Sequence, residues 1–328
     1  MSPDVQQKQH LLNIASSPHW RDGSSIAFSQ QLWLLALVPA IVASVWLFGL
    51  NAARIIGLMI AFSVTFDALS ERIVRSKDRT TNWSSVTLAV LLSFMMPFDS
   101  PLWLLATGSF IMVVIGKKLF GGYGAFPVHP AMLSFAMLRV SWPGYFDYTK
   151  SMITLNWPEK MIEPLRAVKT IGGSAASLYD WHDLLLGRQV AGIGEGLVLY
   201  LVVGGVLLMA MRQITWHIPV AFLAGNFLLA GLLYLIDPAQ FAPPLFYLLS
   251  GGAVFAAFFL TTEYTTSPVN PLPMFLYGLL GGILLMLIRA FSNYIDGVAF
   301  TILIINLCSP LLDKITPKVF GAPEVKNA

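Results

Sequence analysis

The sequence predicts an all-α polytopic membrane protein of about ten transmembrane helices, arranged as two five-helix halves forming an inverted repeat. Three observations carry this prediction. First, 56% of the 328 residues are hydrophobic and 11% are charged, about half the charge of an ordinary soluble domain. Second, residues 24–53, 80–98, 100–116, 213–236, 238–262, 264–288 and 297–312 contain no Asp, Glu, Lys or Arg. A helix needs about 20 apolar residues to cross a hydrocarbon core. Third, "KKLFGGYGAFPVHPAMLSFAML" and "IRAFSNYIDGVAFTILIINL" both place Phe and Tyr three apart before a turn and an apolar helix (Phe120 and Tyr123, Phe291 and Tyr294). An odd number of spans per repeat inverts the second copy.

The elements follow in chain order. Residues 1–30 form a polar segment without the apolar core of a signal peptide. The first half, 31–142, holds spans near 31–50, 53–71, 83–98, 101–117 and 127–142; the third is short and ends at Pro97. A loop covers 143–194. The second half, 195–312, holds spans near 195–211, 215–236, 243–262, 271–289 and 296–312, and 313–328 form a tail. Lys8, Arg21, Arg72, Arg75, Lys77, Arg79, Lys117, Lys118, Arg212, Lys314, Lys318 and Lys326 all fall on one side of this topology. The other span ends carry Arg54, Arg139 and Arg289. The positive-inside rule puts both termini in the cytoplasm and 143–194 outside.

Charges within or beside spans are the candidate functional residues, because burying them in lipid is expensive. Asp67 lies in "AFSVTFDALSERI", Glu263 in "FFLTTEYTTSP" and Asp296 in "SNYIDGVAF". They read as carboxylates lining a cation or proton path, or as interface residues; Asp296 also suits the positive end of a helix. The threonines around Glu263 suit a hard cation or a flavin's polar edge, and equally helix ends. Cys308 is the single cysteine, which excludes an internal disulfide, a Cys₄ iron–sulfur site and a CxxCH haem attachment. No Walker sequence or dinucleotide fingerprint is present, and no nucleic-acid partner is expected. One stretch stands apart: "AVKTIGGSAASLYDW", residues 167–181, is small and polar in a chain of mean hydropathy +0.70.

Four stretches together, "SSPHW", "GKKLFGGYGAFPVHPAM", "LSGGAVFAAFFLTTEYTTSP" and "YIDGVAFTILIINLCSPLLD", resemble the RnfD/NqrB family, and the length resembles RnfD more closely. The resemblance implies a membrane subunit of an ion-translocating electron transport complex in a bacterial or archaeal cytoplasmic (inner) membrane. Such complexes couple ferredoxin:NAD oxidoreduction to Na⁺ or H⁺ movement, with iron–sulfur and second flavin subunits as partners. It also implies FMN, usually joined by a phosphoester to a threonine in D-x-x-[ST]-G-A-T. Ser177 stands at that threonine, Ser174 and Gly173 beside it, with Ile171 for the motif's Asp and Ala175 for its Gly. Glu263 stands where the family more often has Asp. Covalent FMN, non-covalent FMN and a flavin-free subunit of the same complex are open on these departures. A non-redox inverted-repeat transporter or channel fits the topology as well.

Overall fold

The computed structural model describes residues 25–74, 82–148 and 162–315. Lys8, Arg21, Arg75, Lys77, Arg79, Lys318 and Lys326 lie outside the described residues, as does nearly all of the N-terminal segment. Among the described residues every regular element is helical.

Helix α1 (Ile26–Phe48) begins where the Ser25 hydroxyl accepts the Phe28 N–H at 3.1 Å, satisfying one of the donors that a helix start leaves free. It stops at Gly49, whose φ of 70° favours glycine. Helices α2 (Leu50–Val74) and α3 (Asn82–Met95) follow. Helix α4 (Leu102–Phe110) runs on as π-helical turns over Ile111–Lys118, and α5 (Pro130–Ser141) starts with proline at its first position. The connector holds α6 (Pro164–Ile171), a 3₁₀ turn (Gly173–Leu178) and α7 (Trp181–Leu186). The second half holds α8 (Val198–Ala210), α9 (His217–Ile236), α10 (Pro244–Leu249), α11 (Ala253–Phe255) with π-helical turns over Ala256–Leu260, α12 (Pro271–Phe291) and α13 (Val298–Leu312).

Four helices, α1, α2, α9 and α12, are long and apolar enough to cross a membrane. Each expected span meets a helix, with one correction. The eighth, expected to be continuous over 243–262, is broken at Ser250–Gly252, where Gly251 takes a φ of 64°. First helix packs on first, α1 on α8, and fifth on fifth, α5 on α13. A two-fold relation between the halves would place these pairs on its axis. Helices α9 and α12 approach most closely. A Cβ on Gly225, Gly278 or Gly282 would strike the facing backbone at Leu279, Ile218 or Phe222.

The sequence suggests a water-exposed connector, but much of it is packed. Leu165, Ala167 and Val168 form the apolar face of α6 and share a core with Ala175, Ala176, Phe241, Phe246 and Met286. Lys169, at the other side of α6, donates to the carbonyls of Ser292, at 2.6 Å, and Tyr294. The connector is thereby clamped to the second half.

Candidate functional site

The Gly173–Leu178 turn is held from below by two glycines. Gly172 has a φ of 99°, and a Cβ on Gly173 would collide with the carbonyls of Pro238 and Phe241. The Gly173 N–H donates to the Ala239 carbonyl at 2.8 Å. Gly173 is therefore a packing glycine whose donor is already committed, and Ser174 and Ser177 are the exposed polar residues of the turn. The Ser177 hydroxyl donates to the Ser174 carbonyl at 2.7 Å. Both serines line an open cavity of about 890 Å³, walled by Tyr179, Trp181, Tyr234 and Pro238. Burial pushes the Tyr179 phenol up to about 12, so it is a neutral wall whose hydroxyl donates to the Ile162 carbonyl at 2.7 Å.

The three carboxylates predicted from sequence do not converge on one site. Asp67, fully buried, is ion-paired with Lys117 at 3.4 Å and Lys118 at 3.0 Å. Lys117 is itself fully buried and donates to the Ser85 hydroxyl at 2.7 Å. Counting Lys117 with the cytoplasmic flanking charges is therefore corrected: it sits inside the protein because Asp67 neutralises it there. Glu263 is also buried, but its partners are neutral. Gln30 donates to the Tyr123 hydroxyl at 2.8 Å, and Tyr123 donates to Glu263 at 2.9 Å.

Asp296 serves the broken helix. One of its oxygens accepts from Arg289 at 3.1 and 3.2 Å, the other from the Gly252 N–H at 2.7 Å. Arg289, almost fully buried, also donates to the Tyr247 and Ser250 carbonyls at 2.6 and 3.2 Å. The pair thus splints the break: Arg289 caps the carbonyls ending α10, and Asp296 caps the N–H opening α11. Asp296 directly precedes the Gly297 N-cap of α13, as expected, and its side chain caps the start of α11.

The chain matches the NQR2, RnfD, RnfE family over residues 13–321. It is 32% identical to the D component of the Na(+)-translocating ferredoxin:NAD(+) oxidoreductase complex of Acetobacterium woodii, across 96% of this chain and 97% of that one. The D components of the ion-translocating oxidoreductase complexes of Alcanivorax borkumensis and Vibrio cholerae are each 32% identical, covering 94% of this chain and 97% and 99% of theirs. The chain belongs to this family.

For a member of the NQR2, RnfD, RnfE family the cavity can be tested against FMN. Its volume lies in the range of small-molecule sites, about 300–1,000 Å³. It offers a hydroxyl at Ser177 and three aromatic side chains for a flat ring system. Among the described residues no Lys or Arg lines it and Asp180 is the one charged group there, so a phosphate would have to face solvent. The residues fit the group on those terms. Sequence reasoning missed Lys117, Arg289, Glu163 and Glu195 as buried charges. The signal was weak, since Lys117, Arg289 and Glu195 stand at the edges of apolar runs and Glu163 lies in the charged connector.

Proposed function

We propose that the chain is the D-type membrane component of an Rnf-type complex that couples ferredoxin:NAD oxidoreduction to Na⁺ or H⁺ movement, and that it carries FMN at the Ser177 cavity. The observation that supports the flavin is the exposed Ser177 hydroxyl on an aromatic-walled cavity. Bound there, FMN would accept and pass on electrons. The chain's own part is to hold it. Ser177 supplies the oxygen for a phosphoester or a hydrogen bond, Ser174 flanks it, and Gly173 fixes the turn against Ala239. Glu263 is the carboxylate best placed for the cation path, since its side-chain donor among the described residues is the neutral Tyr123 hydroxyl. Iron–sulfur and second flavin subunits are the partners. The protein resides in the cytoplasmic membrane with both termini in the cytoplasm and the Ser177 turn outside.

Intact-mass measurement of the purified protein tests the flavin. An added FMN phosphoester that disappears in Ser177→Ala assigns the attachment. Unmodified mass with co-purifying flavin assigns non-covalent binding. Unmodified mass without flavin would overturn the proposal and leave the flavin-free subunit, which the replacements at Ile171 and Ala175 favour.

A further inference from the structure

We propose that Glu163 and Glu195 form a proton-exchange pair at the outer side of the broken helix, beside the Asp296 carboxylate that Arg289 and Gly252 hold in place. Three features place them there. Glu195 is 4% exposed; one of its oxygens accepts the Gly192 N–H at 2.8 Å. Its other oxygen lies 3.3 Å from the position a Cβ on Gly252 would take, and the Asp296 oxygen bonded to Gly252 lies 3.5 Å from that same point. Two carboxyl groups therefore flank one glycine at the opening of α11. Helix α6 brings the third. Its Leu165 reaches 2.9 Å from the Cβ position of Gly251, and Glu163 stands two residues earlier, at the N-cap position, without a side-chain capping bond. Glu163 is 6% exposed, and its buried Oε2 has no hydrogen-bond partner among the described residues.

A buried carboxylate without a partner is costly, whereas the neutral acid is not. Arg289 and Gly252 bind both oxygens of Asp296. Among the described residues Glu195 accepts one bond, from Gly192, and the Glu163 Oε2 accepts none. The other groups facing Glu163 are Arg139 on α5, Arg166 and Lys169 on α6, Asp147, Asp296 and the Tyr148 and Tyr179 phenols. Those facing Glu195 are Asp296, Glu163, Arg139 and the Tyr148 phenol. Arg166 is paired with Asp147 at 3.0 Å, and Arg139 donates to the Phe146 carbonyl at 3.2 Å and lies over the Phe146 and Tyr148 rings. Burial pushes the Glu163 carboxyl up to about 7, within reach of physiological pH.

The ligand that suits the pair is a proton. A metal cation needs about six oxygens around it, and among the described residues no group of three or more His, Cys, Asp or Glu side chains could hold one. A proton needs one. Each carboxyl takes its proton from water as an O–H bond forms on it, and returns that proton to water as the bond breaks. Arg139, Asp147 and Arg166, which act on Glu163, line a neighbouring cavity of about 460 Å³. The role in turnover rests on the ion-translocating reading, but the proton occupancy itself does not.

Infrared difference spectroscopy of the purified complex across a pH titration tests the pair. Two protonated-carboxyl bands are expected to fade between about pH 6 and pH 8, one lost in Glu163→Gln and the other in Glu195→Gln. Bands that neither variant removes, or no titrating carboxyl in that window, would overturn the proposal. In proteoliposomes both variants should retain electron transfer and lose proton movement across the membrane. Unchanged proton movement would overturn the role. Absence of electron transfer in the wild type, with the bands present, would instead count against the electron-transport reading alone.

Discussion

Asp67 and Glu263 are both carboxylates buried next to apolar runs, yet their neighbours give them different work. Asp67 meets two ammonium groups, and Lys118 extends the network to Glu71 at 3.1 Å. Removing one member of a buried ion pair leaves an uncompensated charge and costs about 3–5 kcal/mol. Asp67→Asn should therefore lower the thermal unfolding midpoint of the detergent-solubilised protein by that order. Asp67→Leu combined with Lys117→Met should recover most of it, because both charges go together. Glu263 presents the opposite case. The amide of Glu263→Gln still accepts from Tyr123, so the fold should survive, while cation-coupled activity in proteoliposomes falls. An Asp67→Asn protein that unfolds normally but loses coupling would reverse the two assignments. The sequence shows both acids and hides the difference, since Lys117 lies 50 residues from Asp67 and Tyr123 lies 140 from Glu263.

The elements carry their own tests. Helix α6 is amphipathic, and its docking is coupled to the protonation of Glu163. Because burial raises that carboxyl from 4.5 to about 7, the folded state binds the proton more tightly than the unfolded one. The stability of docking is then greatest below the unfolded value and declines as pH rises through about 7. Protection factors of residues 165–171, with the intrinsic pH dependence of exchange divided out, should accordingly be higher at about pH 5 than at about pH 8, and Glu163→Gln should flatten the difference. A flat profile in the wild type would count against the burial argument. At the α9–α12 seam, Gly282→Ala should cost about 1–3 kcal/mol through overpacking, read as a lower unfolding midpoint, because the methyl would meet the Phe222 backbone. Helix existence was legible from apolar runs alone. The break in the eighth span was not, although "LSGGAV" contains its glycines, because glycine is common in membrane helices. What makes the break stable is Arg289, 38 residues away from Gly251 in the sequence, and no local pattern announces that.

At the scale of the whole molecule the open question is which way it faces, and charge placement gives an answer that can be checked. Among the described residues Arg72, Arg212 and Lys314 lie at the end assigned to the cytoplasm. The opposite end carries Arg54 and Arg139 beside spans, with Arg166, Lys169 and Arg188 on the long connector. Lys117 no longer counts, being buried against Asp67. Arg289 no longer counts either, since it caps α10. Long connectors translocate largely regardless of their charge, and here Arg166 and Arg188 are also paired with Asp147 and Asp183. The short connections therefore decide, and they favour cytoplasmic termini. In a Cys308→Ser background, Ser177→Cys should react with a membrane-impermeant maleimide added to intact cells whose outer face is accessible. Lys314→Cys, also exposed, should react only after the membrane is opened. Both positions are needed, because protection of one alone could reflect a covering partner protein. The reverse labelling of the pair would turn the molecule over and place the Ser177 cavity, together with Glu163 and Glu195, on the cytoplasmic side.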